Sequence, residues 1–331
     1  MKKILSIITL TGLLLSNNIS GVAYFVFEDS FSLSRTYFTY KSEISDELSF
    51  KFQTDVGEID DAITSVDSED VDNDNRWVGF LKKAQLDWKV NSDMKISMGM
   101  IGMNMLNVQE KTWGHRFMYK SAMDLYKFSA TADLGFAISR KYENLTGTLM
   151  ISNGEGYKES DVDDNNKTSV QLAWGETMLN KNEGYNIGLA YSTVEVPTED
   201  NNGEISDVET AVTGFFAGWA GNGLRIGLES NTKDVGGVDN SLASMYATYK
   251  IKDNLSAFLR MDDIDQNTDA VAVSEEKTLL GLIWTPTKGL DIALNNSDWT
   301  KGDTMNCGDG NDEACGKTSD STTKLNFQFK F

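Results

Sequence analysis

Two prolines, two cysteines and one histidine are all that 331 residues contain of these three types. A single histidine, His115, restricts any Ser-His-Asp or His-Asp machinery to one position. In Trp113-Gly114-His115-Arg116 it sits among cations and reads as a neutral constriction residue, not an activated base. There is also no Gly-rich phosphate loop and no HExxH metal motif, so the chain is expected not to be an enzyme. Bases are scarce too: 30 Lys and Arg stand against 50 Asp and Glu, a net charge of −20. That excludes nucleic-acid binding through a basic patch. Beyond the N-terminus no apolar run approaches 18 residues, which excludes membrane-spanning helices.

What the N-terminus does hold is Met1-Lys2-Lys3, an apolar-biased run from Ile4 to Leu15, and Gly21-Val22-Ala23. A basic start, a short apolar centre and small residues before a cut describe a secretory signal peptide over 1–23, cleaved after Ala23 or two residues earlier after Gly21. A buried or membrane helix is the competing reading, and the run falls short of the ~20 residues that a helical span requires. Export fits the two cysteines. Seven residues separate Cys307 from Cys315, enough for one disulfide closing one small loop. A two-thiol metal site would need further Cys or His nearby.

Strict alternation dominates the mature chain. In Leu48-Ser-Phe50-Lys-Phe52, Met94-Lys-Ile96-Ser-Met98, Leu224-Arg-Ile226-Gly-Leu228 and Leu290-Asp-Ile292-Ala-Leu294, every second residue is apolar. Period 2 means strands with one apolar face. Short polar turns are expected near Ser45–Glu47, Asn91–Asp93, Tyr142–Asn144, Asn180–Asn182, Gly221–Gly223, Lys252–Asn254 and Thr287–Gly289, with longer segments rich in Asp, Glu, Asn and Gly between them. These turns join strands in pairs, and a first strand near Tyr24–Asp29 and a last at Ser321–Phe331 bring the total to about sixteen. Short turns on one side and long loops on the other are the layout of an all-β transmembrane antiparallel β-barrel, with short periplasmic turns and long acidic extracellular loops. A secreted β-sandwich is the architectural rival.

The chain ends Leu325-Asn-Phe327-Gln-Phe329-Lys-Phe331. This alternation with a terminal Phe resembles the closing strand of bacterial outer-membrane porins. By parity Leu325, Phe327, Phe329 and Phe331 face out, and Lys324, Asn326, Gln328 and Lys330 face the lumen. Trp88, Trp174 and Trp284 fall near strand ends in apolar register and read as interfacial girdle residues.

Longer likenesses lie between about residues 30 and 160. Phe31-Ser-Leu-Ser-Arg35-Thr-Tyr-Phe38, Leu48-Ser-Phe-Lys-Phe-Gln-Thr-Asp55, Leu81-Lys-Lys-Ala84-Gln-Leu-Asp-Trp88 and Ile96-Ser-Met-Gly99 together resemble the opening hairpins of the phosphate-selective porin family. The resemblance implies a trimeric sixteen-stranded channel with an inward-folded loop and basic residues at the constriction. The corresponding segment, about 103–130, lacks alternation and is the long loop with a basic excess. Such segments are commonly functional. One reading places Lys111, His115, Arg116 and Lys120 at the pore constriction, where cations in a narrow passage attract anions. The other has the bases stapling the loop by pairing with Glu110, Asp124 or acids on the wall. Arg35, Lys51 and Lys83 are lumen-facing wall candidates by parity. The dense, regular basic lining of the family is not identifiable.

The acids are concentrated. Thirty of the fifty fall in segments 57–75, 155–166, 195–209, 262–276 and 303–320, with only Lys158 and Lys317 as bases. An acidic rim over a mildly basic body follows. The runs Asp70-Val-Asp72-Asn-Asp74 and Asp263-Ile-Asp265-Gln-Asn267-Thr-Asp269 look calcium-like, but the second has Thr268 where an EF-hand loop needs Gly and Ser274 where it needs Glu. No cofactor is expected beyond weak surface Ca²⁺ or Mg²⁺ at these loops.

The sequence thus points to a porin in the outer membrane of a Gram-negative bacterium, passing small hydrophilic solutes and ions by diffusion through a mildly anion-favouring constriction. Expected partners are outer-membrane lipids, lipopolysaccharide, small anions and, from the resemblance alone, two further copies in a homotrimer; no nucleic acid is expected. The alternative is a structural or adhesive barrel with surface-loop binding and negligible conductance.

Overall fold

The computed structural model describes residues 18–58, 77–159, 163–199, 205–267, 272–303 and 315–331, without the side chains of 58, 199, 303 and 315–317. Sixteen antiparallel strands close into one barrel. In chain order they are β1 (Ile19–Phe27), β2 (Phe31–Glu43), β3 (Leu48–Glu58), β4 (Trp77–Lys89), β5 (Met94–Gly102), β6 (Ala132–Tyr142), β7 (Leu145–Ser152) and β8 (Lys167–Gly175), followed by β9 (Gly184–Glu199), β10 (Ile205–Gly221), β11 (Leu224–Val235), β12 (Val238–Lys252), β13 (Leu255–Asn267), β14 (Ala272–Thr287), β15 (Leu290–Asp303) and β16 (Cys315–Lys330). Each strand pairs with its sequence neighbours, and β1 against β16 completes the ring from Val22↔Lys330 to Phe27↔Leu325. Closure removes the free edges that an open sheet would present.

All seven expected short turns lie between paired strands, on one rim. At this rim Trp88, Trp174 and Trp284 stand on the outer face, 43%, 42% and 48% exposed, with Tyr185, Trp219 and Tyr249 at corresponding heights. Outward side chains on the strands above are Leu, Ile, Met and Phe, among them Met98, Leu149, Leu189, Leu228, Leu259, Leu282 and Leu294. An apolar band over an aromatic belt is what a bilayer requires of a barrel's outside.

The opposite rim departs from expectation in three places. The β11–β12 connection is only Gly236-Gly237, both at positive φ (61° and 93°), the backbone a two-residue hairpin turn demands. The β1–β2 connection is likewise short, at residues 28–30. The acidic segments 195–209 and 262–276 are largely strand, not loop, because β9, β10, β13 and β14 run on beyond the apolar band. Asp263 and Asp265 therefore lie on an extended strand opposite Glu276 and Ser274, a geometry that spreads oxygens along a line instead of curling them around an ion. Asp70–Asp74 lies outside the described residues, as does Cys307; Cys315 opens β16. β1 starts at Ile19, five residues before the expected first strand, and Gly21 exchanges backbone hydrogen bonds with Phe331 (2.9 and 3.1 Å). A chain cut after Ala23 would keep Tyr24–Phe27 of this strand.

The lumen is largely filled by residues 103–131 between β5 and β6, which carry two short helices, α1 (Asn107–Trp113) and α2 (Ala122–Leu125). Met105, Trp113 and Met123 are fully buried there. They pack on inward residues that are apolar where alternation alone suggested a polar lining: Val212, Leu242, Phe258, Ile264, Leu279 and Ile283. A core has formed inside the barrel, between loop and wall, and this is where the hydrophobic effect fixes the loop's position.

Candidate functional site: a basic cavity between loop and wall

The loop is tethered on both sides: Asn104 donates to the carbonyls of Thr148 on β7 (3.1 Å) and Ser169 on β8 (3.3 Å), Arg116 Nε to Tyr37 Oη on β2 (3.4 Å), and four side chains of the opposite wall hold the loop's own carbonyls. Tyr246 Oη of β12 donates to the carbonyl of Gln109 (3.2 Å), Arg225 of β11 to that of Trp113 (2.9 Å), Arg260 of β13 to that of Lys120 (2.6 Å) and Asn326 of β16 to that of Phe117 (3.5 Å). Gly114 closes α1 at φ 74°, and a Cβ there would stand 2.9 Å from Arg225 Nη2, so glycine is what lets the guanidinium reach the helix end.

Between the loop and β1–β7 an open cavity of about 460 Å³ remains. Among the described residues its charged lining is Lys51, Lys82, Lys83, Lys95, Lys111 and Arg116 against the single acid Glu110. Lys51 and Lys83 come from β3 and β4, where parity placed them, and Lys111 from α1. No carboxylate within salt-bridge distance faces Lys51, Lys83 or Lys111 among the described residues. Lys41 lies directly opposite Lys51 on β2, adding like charge to that wall. Burial lowers the pKa of the Lys111 ammonium, and Lys95 and Lys181 push the same way.

The remaining sequence candidates divide. Arg116 lines the cavity and is also a staple: its Nη1 stands 3.1 Å from Glu110 and 2.5 Å from Asp124. Burial disfavours its charge, but Glu110, Tyr37 and Asp124 outweigh that and hold its pKa well above the ordinary value. Arg35 is an ion-pair partner of buried Asp55 (2.9 Å) and does not reach the cavity lining. Nor does His115. Its Nε2 meets both Arg225 (2.9 Å) and Thr248 Oγ1 (2.9 Å), which makes that nitrogen the acceptor. Burial, then Arg225 and Lys330, keep its pKa well below the ordinary value, so the ring is neutral. Lys120 supplies its backbone carbonyl to Arg260, and its side chain is not among the lining groups.

Lys82, Lys95, Arg225 and Arg260 escaped the sequence reading. Lys82 is the instructive one. The register of β3 against β4 shifts between Gln53 and Thr54, pairing Gln53 with Lys83 and Thr54 with Leu81, so Lys82 is the extra residue of a β-bulge. Parity would turn it outward. Instead it lies inside, 3.7 Å from Asp55 and with its ammonium 4.8 and 4.7 Å from the ring centres of Tyr37 and Tyr157. Tyr157, from the β7–β8 connection, donates to the same Asp55 (2.6 Å).

No protein-family model matches the chain, and no curated protein does. Solved structures do. OmpF of Salmonella typhi, in complex with daunomycin, superposes with a TM-score of 0.63 at 12% identity over 95% of this chain and 97% of its own. OprB of Pseudomonas putida gives 0.61 at 10% over 97% and 96%, and the trimer form of OmpT, an outer membrane protein of Vibrio cholerae, 0.60 at 11% over 95% and 98%. The fold is therefore that of bacterial outer-membrane barrels, porins among them.

Proposed function

We propose that the chain is an outer-membrane porin of a Gram-negative bacterium that passes small hydrophilic solutes and ions by diffusion, with a mild preference for anions. The observation that carries this is the cavity between loop and wall, with six bases and one acid in its lining among the described residues. In a narrow passage with apolar walls nearby, charges are screened less than in bulk water, so unpaired ammonium groups raise the local anion concentration. The carboxylates on the far rim are remote from this point and act on approach, not on passage. The likeness to outer-membrane barrels, one of them a trimer, supports the location and a homotrimeric state. Lipid would cover the outer apolar band, and lipopolysaccharide the polar upper ends of β9–β16. His115 takes a structural part in this reading, which gives no role to catalysis. Its test is planar-bilayer recording under a salt gradient: channels with a reversal potential on the anion side are expected. A reversal potential on the cation side would overturn the anion preference, and a barrel with negligible conductance would favour a structural or adhesive role.

A further inference from the structure

We infer that Arg260 sets the width of the pore, an inference that rests on the channel reading above. Arg260 faces inward from β13 and is 1% exposed. Its Nε and Nη2 grip the two oxygens of Asp262 at 2.8 and 2.7 Å, and Ser244 Oγ, on the neighbouring strand, donates to the same carboxylate (2.6 Å). The guanidinium is thereby held flat and aimed. Its remaining nitrogen, Nη1, donates to the carbonyl of Lys120, and its Cζ lies over Trp113, 5.0 Å from the ring centre.

One side chain therefore holds two separate points of the constriction segment: the end of α1 and the residue just before Ser121, which precedes α2. Of the other side chains that hold loop carbonyls from this wall, Arg225 meets Trp113 O and the His115 ring with one nitrogen, Tyr246 holds the carbonyl of Gln109, and the contact from Asn326 is long at 3.5 Å. These four come from β11, β12, β13 and β16; the open cavity lies toward β1–β7, where Asn104 fastens the start of the loop to β7 and β8 and Arg116 meets Tyr37 of β2. Arg260 holds the stretch from Trp113 to Lys120 against the wall opposite the lysines. Released, the segment between Trp113 and Ser121 gains freedom on the side that borders the open cavity, and the passage ceases to have one fixed size.

Lysine cannot take this place. A single ammonium could neutralise Asp262 or reach the Lys120 carbonyl, but it lacks the planar fork that does both while lying over the Trp113 ring. Arg260 is thus a positioning residue, and its effect should appear in size and not in barrel stability alone.

The experiment compares the full-length wild type with Arg260→Gln and Arg260→Lys, each refolded and first checked for the heat-dependent gel mobility of a closed barrel. Single-channel conductance in planar bilayers should rise about twofold in both variants, as expected when the free cross-section grows. In liposome swelling, the cut-off should move to larger neutral sugars. Unchanged conductance and cut-off in folded Arg260→Gln would overturn the inference while leaving the channel reading intact. A wild type that conducts nothing would overturn both. Should Arg260→Gln fail to close, Asp262→Asn keeps the guanidinium but weakens its aim; a smaller rise is expected, and no rise counts against Arg260.

Discussion

Lys82 and Lys83 are adjacent in sequence and both line the same face of the lumen, because a β-bulge places Lys82 between the registered pairs Gln53↔Lys83 and Thr54↔Leu81. The two are not equivalent. Lys82 shares Asp55 with Arg35 and is flanked by two tyrosine rings, whereas Lys83 has no carboxylate within salt-bridge distance among the described residues. Lys83→Glu should therefore change permeation and not folding. A two-unit change of charge beside the passage, at an effective dielectric constant near 20 and with partial screening, is worth about 1 kcal/mol, or roughly fivefold in the anion-to-cation permeability ratio. Reversal potentials measure it; a ratio equal to wild type would remove Lys83 from the conduction path.

Lys82→Met should show the opposite balance. It removes the ammonium from between Tyr37 and Tyr157 and takes one of two cations from Asp55, which is fully buried and already has Oδ1 without a partner. Loss of about 1–3 kcal/mol of stability is expected, read as a lower temperature for the gel-mobility transition. A transition at the wild-type temperature would show that Arg35 and Tyr157 alone satisfy Asp55.

Arg116 joins both roles. Replacing it with Gln leaves Glu110 and Asp124 without their shared cation, and Glu110 borders the cavity. The charge lining the passage then falls by one unit and Glu110 stands beside the cavity without its cation, so anion preference should drop. The double variant Arg116→Gln with Glu110→Gln should recover part of it. Salt-gradient recordings on the two proteins decide; an identical ratio in both would mean that Glu110 does not bear on permeation.

Most of the architecture could be read from period-2 alternation, because a half-buried strand writes its two faces directly into the sequence. Leu290, Ile292 and Leu294 fall on one face of β15, and the turn at Thr287–Gly289 sits where the alternation breaks. The site was legible only in part, for two physical reasons. A bulge adds one residue and reverses parity locally, which hid Lys82. Strand residues that pack on the inserted loop, such as Phe258 and Leu279, are apolar although they face the lumen, because their environment is a core and not water. Which carbonyl Arg260 would hold depends on contacts 140 residues apart, and nothing local encodes them. The competing readings of Arg116, constriction cation and loop staple, both hold in part, since the same side chain borders the cavity and ties Glu110 to Asp124.

The pH response follows from Lys111. Its pKa is lowered, so the neutral amine is reached at a lower pH than for a free lysine, whose ordinary value is about 10.4. The charged form is complete well below that lowered value and is lost as pH rises through it. Anion preference should therefore weaken as pH rises above neutral, earlier than an unperturbed lysine would allow. Lys111→Arg provides the control, because a guanidinium stays charged throughout this range. Reversal potentials recorded across the pH series should decline more steeply in wild type than in Lys111→Arg. Superimposable curves would mean that Lys111 keeps its proton or stands away from the ion path, and the decline would then have to be assigned to lysines on the wall.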